Sequence, residues 1–238
     1  MKKICICGGG ALGHVAAGYI AARSKAEVRV LTNHPERWSR SISVHTPEGE
    51  SLIGSLSMIS SSAKDVVTGA DVLLFCLPGF LIKEELEKVK PYLGTNAYVG
   101  TVFSSTGFFF EALKILSPEQ PLWGFQRVPF ISRVVEYGHS ANLLGYKSGF
   151  NITVEHVSDV EKSQFADWVA DAFGRPVHLL RNYLEASLTN SNPILHTSRL
   201  YTLFSDWYEG VRYPSQFAFY DTWDVASAQR LIRMDKEF

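Results

Sequence analysis

One pattern near the N-terminus constrains this chain more than any other. The short apolar run Ile4-Cys5-Ile6-Cys7 leads without a spacer into Gly8-Gly9-Gly10-Ala11-Leu12-Gly13, and His14 is followed by the small-residue stretch Val15 to Ala22. A strand, a tight turn and a helix fit that order, with G-x-G-x-x-G at Gly8, Gly10 and Gly13. Gly8 would make the turn, Gly10 would let the backbone approach a pyrophosphate, and Gly13 would let the helix pack close to the strand. The start of the helix, at Ala11 and Leu12, offers free N–H groups and a partial positive charge to phosphate. A dinucleotide site is the expectation. The plainer alternative is a glycine-rich turn in some other α/β protein.

Composition narrows the class. The chain has 238 residues, 46% hydrophobic and 20% charged, with a formal net charge of -1. That suits one large globular domain, or one domain plus part of another. No basic block appears, which argues against nucleic acid as a main partner. Cys5, Cys7 and Cys76 all lie in apolar runs. They read as buried thiols of a reducing compartment, with no disulfide and no metal site. The N-terminal apolar run is too short for a signal peptide, and no run reaches the roughly 18 residues of a membrane span. A cytoplasmic location without membrane contact is expected.

Along the chain, strand-like and helix-like segments alternate. Glu27 to Leu31 is the second strand. Ser41 to His45 and Glu50 to Ile53 form a hairpin around Thr46-Pro47-Glu48-Gly49, and Leu56 to Ile59 is a short further strand. Ala63 to Gly69 is a short helix, Asp71 to Leu77 a buried strand, and Leu81 to Val89 a helix. Ala97 to Phe103, Leu122 to Gln126, Asn142 to Tyr146, Asn151 to Val157 and Val177 to Leu180 read as strands, with Arg127 to Arg133 as a connection. Ser158 and Glu161 form a capping box. It opens a helix with Val160, Phe165, Trp168, Val169 and Phe173 on one face. This alternation predicts an α/β fold: a Rossmann-type, doubly wound, mainly parallel sheet over residues 1–181 that binds a dinucleotide. Residues 182–238 carry little strand signal and are expected to start a short α-helical substrate or dimerisation domain.

Ligands of such sheets bind beyond the carboxyl ends of the strands. The glycine turn, Thr32-Asn33, Leu77-Pro78 and Ser104 to Gly107 fall there. An NAD-selective site usually places an acidic residue at the end of the second strand, about 20 residues past the glycines. Here Thr32 and Asn33 stand there, with Arg37 nearby, which favours a 2′-phosphate and hence NADP over NAD. A solvated loop charge is the plain reading of Arg37, and Glu36 beside it weakens the phosphate reading. Leu77 and Pro78 are candidates to line the nicotinamide.

The second informative stretch is Asn190-Ser191-Asn192-Pro193-Ile194-Leu195-His196. A histidine at a helix start near a domain crevice can exchange a proton with a carbinol or amine while hydride moves. His196 is one of seven histidines, and a structural or surface role is the default for any one of them. His14, His34, His45, His139, His156 and His178 keep that default, although His14 sits beside the expected phosphates.

GGGALGH, DVLLFCLPGF, TVFSSTGFFFE, FQRVPFISRVVEYG and NSNPILHTSRL together resemble the octopine/nopaline (opine) dehydrogenases. In that group the second domain is similar to 6-phosphogluconate dehydrogenase. The resemblance implies NAD(P)H-dependent reduction of an imine formed from a 2-oxo acid and the amine of an amino acid. It implies His196 as the catalytic acid/base and Asn192 as a residue that orients substrate or nicotinamide, where a helix cap is the alternative. It makes Arg127 and Arg133 candidates for substrate carboxylates, or else structural arginines. The family's helical domain extends beyond the histidine and supplies it with an acidic partner. Asp206, Asp221 and Asp224 are the nearby acids here, and none stands out. A shortened helical part, or a site completed by a second copy, is therefore expected. Phe204, Trp207, Tyr208, Tyr213, Phe217 and Phe219 would then cover a homodimer surface. Two other readings stay open. One is a ketopantoate-reductase-like 2-oxoacid reductase, although Leu184 to Asn192 lacks the lysine that such enzymes use. The other is a nucleotide-binding sensor without turnover.

Overall fold

Strand β1 (Lys3–Cys7) lies inside an eight-stranded sheet, and its continuous apolar sequence follows from burial on both faces. In chain order come α1 (Ala11–Arg23), β2 (Glu27–Leu31), β3 (Ser41–His45), β4 (Ser51–Ser55), β5 (Met58–Ser60), α2 (Ala63–Val67), β6 (Val72–Phe75) and α3 (Gly79–Val89). They are followed by β7 (Tyr98–Thr101), α4 (Phe108–Ile115), β8 (Leu122–Phe125), β9 (Phe130–Glu136), β10 (Ser140–Tyr146), β11 (Phe150–Glu155), α5 (Asp159–Phe173), β12 (Val177–Leu179), α6 (Tyr183–Leu188), α7 (Asn192–Leu203) and α8 (Val225–Glu237). This computed structural model describes residues 1–213 and 218–237. Two compact units result, Met1–Thr189 and Asn190–Phe238.

The large sheet has the order β12-β11-β8-β7-β6-β1-β2-β5 and is parallel throughout except where β11 runs antiparallel to β8. The expected α/β, mainly parallel, doubly wound class is the observed one. Alternation along each strand feeds two cores. Ile4, Ile6, Val28, Val30, Val72 and Leu74 face one side with α1 and α5. Cys5, Cys7, Leu31, Leu73 and Phe75 face the other with α2, α3 and α4. Cys5 and Cys7 share a face as expected, and their sulfurs lie 3.9 Å apart as free thiols.

A second sheet, β4-β3-β10-β9, covers the outer side of α1. The helix is therefore enclosed on both sides, and Gly13 to Ile20 are all buried. Small residues there are a packing requirement. A Cβ on Gly18 would come within 2.6 Å of the Val44 side chain, and one on Gly54 of β4 within 2.9 Å of Ala21.

Three expectations are corrected. The stretch Arg127 to Arg133 is not simply a connection, because Phe130–Glu136 forms strand β9, antiparallel to β10. Its pattern is inverted, with Ser132 buried and Ile131 exposed, so apolar alternation could not reveal it. Val160 is 67% exposed and leaves the expected face of α5. It lies five residues before Phe165, roughly 140° round the helix. The capping box itself forms, Ser158 accepting from Glu161 N–H while the Glu161 carboxylate accepts from Ser158 N–H. Finally, the larger unit runs past residue 181 to Thr189, because α6 packs on the sheet's loops. Tyr183 meets Phe109, and the Ser105 hydroxyl donates to the Ser187 carbonyl at 2.9 Å.

In the smaller unit α7 and α8 are held together by Arg199, which is 1% exposed. Its guanidinium donates to Asp224 at 3.2 Å, to the Ser227 hydroxyl at 2.9 Å and to Thr222. Phe204, Trp207, Tyr208 and Tyr213 carry exposed surface, Phe219 is partly buried, and Phe217 lies outside the described residues.

Candidate functional site

The turn between β1 and α1 is shaped by close approach. Gly8 has φ +124°, its N–H donates to the Leu31 carbonyl at 2.9 Å, and a Cβ there would sit 2.7 Å from the Cys76 carbonyl oxygen. A Cβ on Gly13 would run into the Gly8 carbonyl oxygen. Gly10 differs: its ideal Cβ has no neighbour within 4 Å. Gly10 is the N-cap of α1, no side chain caps the helix, and no acidic residue occupies its first turn. An uncapped helix N-terminus behind an open glycine is a cradle for an anion, and the residues present fit a dinucleotide pyrophosphate.

Two clefts flank this turn and meet at Leu77. One is lined by Gly8, Gly9, Thr32, Asn33, Leu77 and the α3 residues Leu81, Glu84, Glu85 and Lys88. Burial pushes the Glu85 carboxyl up, and Lys88 at 3.6 Å opposes that shift. The other cleft is lined by residues including Gly10, Ala11, Leu12, Cys76, Leu77, Pro78, Phe103, Thr106, Ser132 and Arg133. Burial pushes the Cys76 thiol up to about 12, so this wall presents a neutral sulfur.

Gly8, Gly10, Ala11, Leu12, Thr32, Asn33, Leu77, Pro78 and Arg133 thus gather along these clefts, while Gly13 is buried behind them. Arg37 sits on the short turn Pro35–Arg37 with its guanidinium 4.4 Å above the Tyr137 ring. Arg127 donates one arm to the Thr189 carbonyl, and its buried Nη1 has no partner among the described residues. In the smaller unit His196 is partly buried on α7, 3.2 Å from the Tyr220 hydroxyl and edge-on to Phe219. Asn192 is exposed and opens α7. The helix's N-cap is Ser191, so Asn192 is not the cap.

Sequence reasoning missed Tyr137, whereas His14 keeps the structural role that was its default. The imidazole of His14 is fully buried. Its Nε2 accepts from Gly138 N–H at 2.7 Å, which leaves the proton on Nδ1, 2.9 Å from the Gly10 carbonyl. Trp38 packs on the ring at 4.2 Å. Burial lowers the pKa of His14. Both ring nitrogens are used by the protein, so His14 holds the fold rather than touching phosphate.

The model of the ketopantoate reductase PanE/ApbA family matches residues 4–104. The octopine dehydrogenase of Mizuhopecten yessoensis is 27% identical over 99% of this chain and 62% of its own length. The opine dehydrogenase of Haliotis discus hannai is 27% identical over 97% of this chain and 62% of its own. A solved octopine dehydrogenase structure with NADH and L-arginine superposes with a TM-score of 0.85 at 24% identity, covering 96% of this chain and 60% of that one.

Over nearly its whole length the chain is similar to opine dehydrogenases.

The similarity extends from the glycine turn through the His196 segment, beyond residues 4–104 where the ketopantoate reductase family model matches. The chain spans about three fifths of the length of the opine dehydrogenases it matches. Among the described residues no helix is long and apolar enough to cross a membrane, and no cluster could hold a metal ion.

Proposed function

We propose that the chain is an NAD(P)-dependent oxidoreductase of opine dehydrogenase type, acting on the C=N carbon of an imine built from a 2-oxo acid and an amine. The observation that carries this reading is the similarity to opine dehydrogenases over nearly the whole chain, with the glycine cradle inside it. When bound, the nicotinamide supplies the hydride. The chain's own residues bind, orient and move a proton. Gly8, Gly10 and Gly13 with the α1 N–H groups of Ala11 and Leu12 hold the pyrophosphate. Leu77 and Pro78 form an apolar wall that excludes water. The guanidinium of Arg133, on the cleft wall, and the unpartnered Nη1 of Arg127 suit substrate carboxylates. His196, the match to the family's histidine, delivers or accepts the proton at nitrogen, and Asn192 orients the substrate.

Finer points belong to the same proposal. Thr32, Asn33 and the cationic Arg37 favour NADP over NAD, since no carboxylate stands at the end of β2. The larger unit serves the cofactor, and the smaller unit serves substrate and a homodimer contact through the exposed aromatics Phe204, Trp207, Tyr208 and Tyr213. Buried free thiols suit a reducing, cytoplasmic setting.

The test is oxidation of NADPH and NADH by the intact chain with a panel of 2-oxo acids, each with and without amino acids. Amine-dependent turnover is expected, and His196→Ala should lower kcat by about 10²-fold or more with dinucleotide affinity unchanged. Turnover with a 2-oxo acid alone would instead favour the ketopantoate-reductase-like reading, which the match over residues 4–104 motivates. Dinucleotide binding without any turnover would favour a sensor.

A further inference from the structure

The β9–β10 hairpin has no counterpart in the sequence signature of a dinucleotide site, yet its tip lies on that site. Tyr137 and Gly138 form the turn between the two strands. The Tyr137 hydroxyl is 3.3 Å from the Thr32 hydroxyl at the end of β2. An ideal Cβ on Gly9 would stand 2.6 Å from the Tyr137 oxygen and 2.7 Å from the Thr32 oxygen. The two hydroxyls therefore sit directly over the middle glycine of the turn, and Gly9 lacks a side chain where they crowd it. Arg37 lies against the Tyr137 ring.

This placement is enforced from below. Gly138 has φ +78° and packs so tightly on the Arg37 carbonyl that no side chain fits there. Its carbonyl accepts from Ser39 N–H at 3.0 Å. Its own N–H is taken by His14, whose other nitrogen holds the Gly10 carbonyl. One buried imidazole thus fixes the hairpin tip to the N-cap of α1, whose free N–H groups face the anion site.

We propose that Tyr137 is a binding residue for the ADP half of the dinucleotide, its hydroxyl acting with that of Thr32, and that His14 is the positioning residue that keeps it there. The inference rests on the dinucleotide reading above. A phenol paired with a threonine can donate to and accept from ribose hydroxyls or the adjoining phosphate oxygens. The Tyr137 ring also fixes Arg37 on the same side, where a 2′-phosphate would add charge-assisted bonds.

The test is direct binding, read by dihydronicotinamide fluorescence for NADH and NADPH and by calorimetry for ADP-ribose and nicotinamide mononucleotide. Tyr137→Phe removes one oxygen and keeps the ring. It is expected to weaken NADH, NADPH and ADP-ribose by about 5- to 10-fold, the scale of one hydrogen bond. Nicotinamide mononucleotide affinity and the melting temperature should not move. Thr32→Val should give a comparable loss, and the double variant less than the product of the two. His14→Gln, which can present both a donor and an acceptor, should retain more ADP-ribose affinity than His14→Leu. Wild-type affinity for ADP-ribose in Tyr137→Phe, while the wild type itself binds, would overturn the inference and leave the dinucleotide reading standing. No dinucleotide binding by the wild type would overturn both.

Discussion

Gly10 and Gly13 stand three residues apart in one turn, yet a methyl group would meet opposite fates at them. At Gly13 it would collide with the Gly8 carbonyl, which neither backbone can avoid. At Gly10 it would project into open space from an ordinary backbone conformation, φ -83° and ψ -177°. Gly13→Ala is expected to destabilise the fold by about 1–3 kcal/mol through overpacking. Gly10→Ala should leave thermal stability near the wild type and weaken NADPH about tenfold, by blocking backbone approach to phosphate. Thermal melts beside fluorescence titration separate the two. Equal melting losses in both variants would remove the distinction. The packing role of Gly13 was legible in the sequence, because the spacing of the glycines encodes it. Tyr137 was not, since its meaning comes from a contact 105 residues away with Thr32.

Among the elements, α1 is the most constrained, held between the large sheet and the smaller sheet β4-β3-β10-β9. Gly18 and Gly54 permit that sandwich, and His14 fastens the β9–β10 hairpin to its first turn. A neutral imidazole is required, because Gly138 N–H needs an acceptor at Nε2. The charged or titratable side chains on the neighbouring segments, Glu36, Arg37, Glu136 and His139, are exposed. Burial depresses the folded-state pKa below the unfolded value of about 6.5. Above that unfolded value neither state holds the proton, and His14 makes its full contribution to stability. As pH falls below it the unfolded chain gains the proton first, and stability is lost until the folded-state pKa is passed. The melting temperature should therefore drop between neutral and mildly acidic pH, and His14→Gln should flatten that part of the profile. An unchanged slope in the variant would assign the loss to other groups. Strands β1, β2 and β6 were readable from their apolar runs. Strand β9 was hidden because its buried positions carry Phe130 and Ser132 while Ile131 and Val135 face outward.

At the scale of the whole molecule, the two units have different kinds of interior. The larger has two apolar cores, one on each side of the sheet. The smaller unit buries Arg199 between α7 and α8, with Asp224, Ser227 and Thr222 as partners. Hydrogen bonds from Ser227 hold the Asp224 carboxyl below its usual range, followed in strength by the Arg199 charge. Asp224→Ala leaves that buried guanidinium without its countercharge. Amide exchange in α7 and α8 should accelerate, while ADP-ribose affinity in the larger unit stays at the wild-type value. A loss of that affinity would show that the units do not act separately in binding. By itself the sequence determined the α/β class, the order of most elements and the stretches that resemble opine dehydrogenases. Those features rest on local periodicity and short spacings, which a chain carries wherever it folds. Only the tertiary structure decided that the hairpin tip covers the glycine turn, that His14 is a buried clamp, and that Arg37 lies on Tyr137. Each of these depends on side chains distant in sequence meeting in space, and close packing settles such meetings only once the whole chain has folded.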